Sequence, residues 1–223
     1  MKSNFPQLSV SILNSDFTNL NKTLKLLQRL KIKYVHLDIM DGNFVKNLTF
    51  GPPIIKSIRS KTNCILDTHL MINSPQKSIE QYFDSGADII TFHYESLKEK
   101  NINELISLVK RNKRLVGISI KPSTPPTKII KYLKQIDLVL VMTVMPGFGG
   151  QKIINSCIKK ICFFEDYRQK NNLSYIISAD GGINEKNIVD IVRNGCDLPV
   201  VGNAIFGSNN VVSKIKLLQT LIK

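Results

Sequence analysis

The segment 35–42, VHLDIMDG, places a histidine and an aspartate two residues apart inside an apolar run. In a β-strand, residues i and i+2 lie on the same face, so His36 and Asp38 share one face of any strand formed here. A buried carboxylate is costly unless it is paired with another group or bound to a metal ion. The pair therefore indicates either an interior ion pair or a site with a chemical role.

Two further apolar segments carry the same residue types near their ends. Asp67 and His69 lie two residues apart in one of them, and Asp180 ends another. If these segments converge, His36, Asp38, His69 and Asp180 can hold one divalent metal ion, and imidazole and carboxylate ligands suit Fe²⁺, Zn²⁺, Mn²⁺ or Co²⁺. Asp67 lies on the same face as His69, and the spacing leaves open whether it is a ligand or a partner of a ligand.

Short apolar segments alternate with amphipathic helical patterns along the chain, which is typical of a parallel α/β sheet. Leu20, Leu24, Leu27 and Leu30 form one such helical stripe. Eight units in one chain without a linker predict a single (β/α)₈ TIM barrel domain over residues 1–223. The predicted strands are 7–13, 34–40, 64–71, 88–94, 115–120, 137–144, 174–180 and 197–203.

An open doubly wound sheet is the alternative fold, but it favours a glycine-rich turn after the first strand. The residues at that point are SILNSDF, which contain no glycine. A second late pattern places Ile188 and Ile191 between Asn184, a predicted helix N-cap, and Gly195, a predicted helix stop. The barrel is therefore the expected architecture.

In such a barrel the chemistry lies at the carboxyl ends of the strands. Met40, Met71 and Met142 all fall there and are expected to line a dry reaction site. The glycine-rich segments PGFGGQ, DGGI and VGNAIFG follow strands six, seven and eight. Glycine-rich turns present backbone N–H groups, so three of them at successive strand ends predict a phosphate site.

Composition excludes several other classes of protein. The formal net charge is +14, but the lysines are spread over predicted helices and form no dense basic run with aromatic residues, so nucleic-acid binding is not expected. No apolar run approaches the roughly 18 residues of a membrane span, and the N-terminus lacks an apolar signal region. Cys64, Cys157, Cys162 and Cys196 form no C-x-x-C pair, which predicts free thiols in a cytoplasmic protein.

These segments together resemble ribulose-phosphate 3-epimerases, which are metal-dependent (β/α)₈ barrel enzymes of the pentose phosphate pathway. The resemblance covers nearly the whole chain, and the order of HLDIMDG, HLM, PGFGGQ and DGGI is highly specific. The matching segments are LSVSIL (8–13), VHLDIMDGNFVKNLTFGP (35–52), DTHLMINSP (67–75), GADIITFHYE (86–95), MTVMPGFGGQK (142–152), ADGGI (179–183) and VGNAIFG (201–207).

The resemblance implies a role for each matching position. It implies one divalent metal ion per subunit on His36, Asp38, His69 and Asp180, with Asp38 and Asp180 also the acid–base pair. It implies a phosphorylated ketose as substrate and a homo-oligomeric assembly. The implied substrate contacts are Ser11, Met40, His69, Met71, Met142, Gly147, Phe148, Gly149, Gly150, Asp180, Gly181, Gly182, Gly202 and Asn203.

Three positions depart from the pattern of the family. Met145 stands where a polar residue is usual, Ala179 where valine is common, and Asn203 where serine is common. None of them removes a metal ligand or an acid–base residue. Asn203 lacks the hydroxyl that would contact phosphate, although its backbone N–H is retained.

Chemistry at C3 of a ketose phosphate explains why two aspartates are needed. Inversion requires a proton to leave one face of the carbon and to return on the other, so two groups are expected on opposite sides. Three other functions are alternatives: a sister epimerase acting on a six-carbon ketose phosphate such as allulose 6-phosphate, a hexulose-phosphate synthase or decarboxylase, and a basic RNA-binding module. The lyases favour lysine in the strand-end cluster, whereas this cluster contains histidine and aspartate.

Overall fold

Eight parallel strands close into a barrel in which every strand pairs with its neighbours in chain order and β1 pairs with β8. The structure is a computed structural model that describes residues 6–223. The predicted (β/α)₈ TIM barrel is therefore confirmed, and all eight predicted strands form, β2 and β5 with the predicted bounds and the other six with shorter ones. They are β1 (Ser9–Ser11), β2 (Tyr34–Met40), β3 (Ile65–Met71), β4 (Ile89–His93), β5 (Leu115–Ile120), β6 (Leu138–Met142), β7 (Ile176–Asp180) and β8 (Leu198–Val201).

Helices surround the barrel, and most connections carry one α-helix. The connection from β5 to β6 instead holds only a 3₁₀ helix, Pro126–Tyr132, because the prolines of the segment KPSTPP remove N–H donors and restrict the chain. Two helices follow β8. The α-helices are α1 (Leu20–Arg29), α2 (Pro52–Arg59), α3 (Ile79–Asp84), α4 (Glu99–Arg111), α5 (Ile158–Lys170), α6 (Ile188–Arg193), α7 (Asn203–Phe206) and α8 (Val211–Leu221).

The prediction that Asn184 caps the sixth helix was wrong. Asn187 occupies the residue before α6, while the side chain of Asn184 accepts the N–H of Lys186 in the turn that leads into the helix. The predicted stop is in place, because Gly195 adopts a left-handed backbone (φ 104°) two residues after the helix ends.

Register places the chemical side chains at one end of the barrel. His36 is opposite Asp67 and Asp38 is opposite His69, because β2 and β3 pair residue by residue from Tyr34↔Ile65 to Met40↔Met71. β1 brings Ser11 opposite His36 on the other side. The last residues of β6 and β7 are paired in the same way, Met142 with Asp180. The carboxyl ends of distant strands therefore form one mouth.

The opposite end of the barrel is held by a repeated aspartate contact. Asp88, Asp137 and Asp197 each directly precede an even-numbered strand, β4, β6 and β8. The carboxylate of each accepts the backbone N–H of the second residue of the preceding strand, at 2.8, 2.9 and 2.8 Å respectively. These three aspartate clasps join β3 to β4, β5 to β6 and β7 to β8 where the strands begin.

A buried arginine completes one of the aspartate clasps. Arg168 of α5 is only 4% exposed, forms close ion pairs with Asp197 and Glu165, and donates to the carbonyl oxygen of Tyr175 at 2.7 Å. Removing one partner from a buried ion pair is strongly destabilising because the remaining charge stays desolvated. The network therefore ties α5 to the starts of β7 and β8.

We expect Asp197→Ala to lower the melting temperature markedly. The variant leaves Arg168 with less compensation and leaves the N–H of Ile177 without its side-chain acceptor. The expected loss is about 3 kcal/mol, or roughly 6–12 °C in Tm for a chain of this size. Thermal unfolding followed by circular dichroism measures it. Asp166→Ala, which removes an exposed carboxylate of α5, is the matched control, and an equal Tm in both variants would contradict the proposed contribution of the clasp.

The four cysteines are free, as predicted, and three of them are buried while Cys162 is partly exposed. Within residues 6–223, none of the helices combines the length and the apolar character that a membrane crossing requires.

Candidate active site

Four side chains from three strands meet at the mouth of the barrel. Each of His36, Asp38, His69 and Asp180 offers one nitrogen or oxygen atom, and these four atoms all lie within 4.8 Å of one another. His36 Nε2 is 3.5 Å from Asp38 Oδ1 and 3.9 Å from Asp180 Oδ2. His69 Nδ1 is 3.8 Å and 3.7 Å from the same two oxygens. The separations exceed hydrogen-bond length, so the four atoms surround a common centre without bonding one another.

Asp67 contacts the back of this cluster. Its Oδ2 is 2.7 Å from His36 Nδ1 and also accepts the hydroxyl of Ser9 at 2.9 Å. A carboxylate in this position takes the N–H of the ring and leaves the other nitrogen, Nε2, bare and directed at the cluster. The question that the sequence left open is thus decided by geometry, since Asp67 contacts a cluster residue and does not belong to the cluster.

The donor set fits a divalent metal ion. His36 Nε2 and His69 Nδ1 are buried and have no hydrogen-bond partner among the described residues, which is unusual for polar atoms at such a depth. A cation between two imidazoles and two carboxylates would satisfy both nitrogen atoms and neutralise the buried acids. His36, Asp38, His69 and Asp180 are accordingly the residues that could hold a metal.

Asp38 is fixed by contacts on both sides of its strand position. The hydroxyl of Ser11 donates to its Oδ2 at 2.6 Å, and the hydroxyl of Thr49 donates to its backbone oxygen at 2.6 Å. Burial alone would raise the pKa of this carboxyl, but the electrostatic attraction of the nearby His36 and His69 outweighs it and holds the pKa below its usual range. Ser11, which was predicted to contact substrate, also lines the cavity described below.

Asp180 lies in different surroundings. Its side chain is 17% exposed, compared with 5% for Asp38, and it faces the open cavity. Burial and the nearby charge of Asp38 raise the pKa of Asp180 to about 6. Its strand end is held by Thr143, whose hydroxyl donates to the carbonyl oxygens of Asp180 and Gly181 at 2.9 and 2.6 Å.

A cavity of about 700 Å³ opens above the four-residue cluster, a size that suits a sugar phosphate. Met40, Met71 and Met142 line its floor and are 1–3% exposed. Almost all of the substrate contacts that the sequence predicts line it too: Ser11, Met40, Met71, Met142, Gly147, Phe148, Gly149, Gly150, Asp180, Gly181, Gly182, Gly202 and Asn203. His69 differs from these, because it is fully buried and does not line the cavity.

The loops after β6, β7 and β8 form the far side of the cavity, and their backbone explains the glycines. Gly182 has φ +68°, and a Cβ there would lie 2.6 Å from the nitrogen of Ile153 and 2.8 Å from the oxygen of Gln151. Gly181 has φ +119°, a conformation that side chains rarely allow. Lys152 and Lys186 also line this side and bring positive charge, which suits an anionic group, whereas Lys214 is paired with Glu185 at 2.9 Å.

The departures from the family pattern have different surroundings. Met145 is 51% exposed on the rim of the cavity, and Phe148 near it is 58% exposed. Asn203 lines the cavity at the start of α7, and its side chain lies close to Gly150. Ala179 is fully buried on β7 and does not line the cavity.

Two neighbours of the cluster carry no role in the sequence-based prediction. His93 ends β4 and its Nε2 lies 2.9 Å from Nε2 of His69, while its Nδ1 lies 3.1 Å from Oε2 of Glu95. The sequence does contain one indication of a role for His93, because it is the last residue of a strand, as Asp180 is. Without a second residue of the metal-binding type on the same strand face, that signal is weak.

Comparison with known proteins gives one consistent family. The model of the ribulose-phosphate 3 epimerase family matches residues 7–206. Ribulose-phosphate 3-epimerase of Treponema pallidum is 42% identical over 199 residues, covering 89% of this chain and 90% of the relative. The enzymes of the same name from Bacillus subtilis and Aquifex aeolicus are 36% and 35% identical and cover 92% and 96% of this chain, and 94% and 96% of their own.

Solved structures add the fold alone. A 3-hexulose-6-phosphate synthase superposes with a TM-score of 0.68 at 16% identity, covering 97% of this chain and 100% of its own. Orotidine 5′-phosphate decarboxylase from Pyrococcus horikoshii gives 0.70 at 16% identity, covering 97% of this chain and 99% of its own. The family match over most of the chain and several relatives above 30% identity settle the family. The protein belongs to the ribulose-phosphate 3-epimerase family.

Proposed function

We propose that the protein is an isomerase that interconverts D-ribulose 5-phosphate and D-xylulose 5-phosphate by moving a proton at C3. The observation that carries this proposal is the approach of Asp38 and Asp180 from β2 and β7, which are separated in the barrel by β1 and β8. Two carboxyls that approach from strands on separate sides of the mouth can reach opposite faces of one carbon. The family of the chain supports the same reaction.

The reaction requires removal of the C3 proton by one aspartate and delivery of a proton to the other face by the second. The intermediate is an ene-diolate, in which C2 and C3 share the negative charge with their oxygens. One aspartate must start ionised and the other protonated, which requires unequal surroundings. The contacts differ in this way, because Ser11 donates to Asp38 whereas Asp180 is more exposed to the cavity.

His36, Asp38, His69 and Asp180 are the residues proposed to hold a divalent cation, one per subunit. When bound, such a cation supplies positive charge that stabilises the ene-diolate oxygens. Fe²⁺, Zn²⁺, Mn²⁺ and Co²⁺ all suit two imidazoles and two carboxylates. Ser11 holds the carboxylate of Asp38 at the cavity, and Met40, Met71 and Met142 would exclude water from the reacting carbon.

The phosphate group of the substrate is proposed to bind at the glycine-rich loops after β6, β7 and β8. Backbone N–H groups of Gly147, Phe148, Gly149 and Gly150, of Gly181 and Gly182, and of Gly202 and Asn203 are the proposed donors. Lys152 and Lys186 line the same side of the cavity and favour an anion. Binding of the phosphate at these loops would fix the sugar so that its C3 lies between Asp38 and Asp180.

Several finer points belong to the same proposal. We propose that residues 1–223 form one ribulose-phosphate-binding domain, that it assembles as a homo-oligomer, and that it binds no nucleic acid. A cytoplasmic location is supported by the four free thiols and by the cytoplasmic isoform among its relatives, which is 38% identical. Sedimentation of the purified chain tests the assembly.

The proposed activity predicts a specific isotope pattern. Incubation of ribulose 5-phosphate with the protein in D₂O should give xylulose 5-phosphate that carries deuterium at C3, because the returning proton comes from an aspartate that exchanges with solvent. Nuclear magnetic resonance of the sugar measures this label. Allulose 6-phosphate, incubated in parallel, should turn over much more slowly. Faster turnover of the six-carbon sugar would show that the protein is the sister epimerase. Absence of the label in both sugars would refute both epimerase activities.

A further inference from the structure

A hydrogen-bonded chain of polar side chains extends from the proposed metal site into the protein. It runs from His69 to His93 at 2.9 Å and from His93 to Glu95 at 3.1 Å. His69 and His93 are fully buried, and their rings lie 4.9 Å apart at an angle of 30°. None of these contacts is explained by the proton transfers at C3.

The far end of the chain fixes the orientation of Glu95. Its Oε1 accepts the backbone N–H of Lys121 at 2.8 Å and a close hydrogen bond from the hydroxyl of Thr124. The loop that supplies these donors is itself anchored by Lys160, whose Nζ donates to the carbonyl oxygens of Lys121, Pro122 and Thr124 at 3.0, 2.7 and 2.7 Å. Because a backbone N–H can only donate, Oε1 must be an acceptor, and Oε2 is left to face His93.

The positions of the protons follow from this orientation. The carboxylate of Glu95 accepts only, so His93 donates through Nδ1–H and its Nε2 carries the lone pair. The contact between Nε2 of His93 and Nε2 of His69 needs one proton, which must then belong to His69. His69 therefore holds its proton on Nε2, and its Nδ1 is bare where it faces Asp38 and Asp180 at 3.8 and 3.7 Å.

We propose that His93 and Glu95 are positioning residues that fix the tautomer of His69 so that its Nδ1 can bind the metal ion. The inference deepens the proposed function, because it rests on the metal site of that function. It parallels the contact between Asp67 and His36, in which a carboxylate acts on the ring directly. A ligand imidazole is commonly oriented by such a partner behind it, and loss of the partner weakens metal binding about 10- to 100-fold.

Glu95→Gln provides a sharp test because the new amide has a forced orientation. The N–H of Lys121 still needs an acceptor, so the amide oxygen takes the place of Oε1 and the NH₂ group faces Nδ1 of His93. His93 must then hold its proton on Nε2, which places two donors between the rings unless His69 moves its own proton to Nδ1. The variant thus removes one charge and disfavours the tautomer of His69 that binds metal.

Two measurements besides activity report the change. The chain has three histidines, so long-range ¹H–¹⁵N spectra of the metal-free protein resolve every imidazole. We expect the proton of His93 on Nδ1 in the wild type and on Nε2 in Glu95→Gln. Isothermal titration with Zn²⁺ should show affinity about 10- to 100-fold weaker in the variant. Glu99→Gln, which removes an exposed carboxylate paired with Lys131, is the matched control and should change neither.

A second pair of variants tests the middle residue, His93, of the hydrogen-bonded series from His69 to Glu95. Gln at position 93 can keep an acceptor near the place of Nε2, whereas Leu cannot, so His93→Gln should retain most of the Zn²⁺ affinity and His93→Leu should lose it. This pair serves if Glu95→Gln does not fold. The inference would be overturned if, in Glu95→Gln, the proton of His93 stayed on Nδ1 and the Zn²⁺ affinity did not change. Equal Zn²⁺ affinities in the two His93 variants would overturn it as well. A wild type that binds no Zn²⁺ but epimerises would instead overturn the proposed metal site.

Discussion

Asp38→Asn and Asp180→Asn should each lower the rate of epimerisation by at least about a thousandfold, since each removes one of two groups that must exchange a proton with C3. Asparagine has nearly the same shape and retains an oxygen, so the barrel should remain folded. A coupled assay that follows xylulose 5-phosphate measures the rate. Circular dichroism verifies the fold.

The two variants should also differ from each other in a way that tests the two-sided arrangement. A single remaining aspartate can still remove a proton and return it on its own face, so each variant should exchange the C3 hydrogen of one isomer with D₂O without forming the other. One variant should exchange the C3 hydrogen of ribulose 5-phosphate, and the other should exchange that of xylulose 5-phosphate. Asp166→Asn, an exposed change on α5, should behave as the wild type. Near-wild-type epimerisation by either Asp38→Asn or Asp180→Asn would rule out proton transfer by two aspartates.

Removal of the proposed metal ion should abolish epimerisation as completely as Asp38→Asn or Asp180→Asn does. The four cluster atoms lie within 4.8 Å of one another, so without a cation two carboxylates share a small buried volume and the ene-diolate lacks its positive neighbour. Protein stripped with a strong chelator, with its metal content verified by elemental analysis, should retain less than about 1% of the activity. Addition of Zn²⁺, Mn²⁺, Co²⁺ or Fe²⁺ should restore it, and the order of restoration identifies the effective metals.

Metal removal has a second readout in stability. A ligand that binds only the folded state stabilises it by about 2.7 kcal/mol at a hundred times its dissociation constant. The melting temperature should therefore rise when the cation is restored. A protein that remains fully active after verified removal of the metal would exclude the cation from the reaction. His36→Ala and His69→Ala should lose the thermal effect of added Zn²⁺, because each removes a ligand atom.

Much of this site was predictable from local spacing, because the barrel converts it into geometry. His36 and Asp38 share a strand face by period, and β3 repeats the pattern in register with β2. Asp180 was predictable only from its place at the end of a strand, since closure of the barrel is what brings it to the others. The strands themselves were predicted well because each is a short apolar run that parallel pairing buries on both faces.

Other features depend on contacts that spacing does not encode. Asp67 lies on the same face as His69, and only the packing of β2 against β3 decides that it contacts His36. His93 and Glu95 were missed because their partners are distant in the chain: His69 lies in β3, 24 residues from His93, and Lys121 follows β5, 26 residues from Glu95. The missing α-helix between β5 and β6 could have been anticipated from the prolines of KPSTPP, which a count of repeating units overlooks.

The aspartate clasps lie at the starts of the strands, whereas the residues proposed for chemistry lie between the middle of the strands and their carboxyl ends, or in the loops beyond. This separation means that the chain can change its reaction and its thermal tolerance by different mutations. Natural selection could remodel the loops after β6, β7 and β8 toward a new sugar while the aspartates at the opposite rim keep the framework intact. A library confined to those loops should accordingly yield many folded proteins of altered preference.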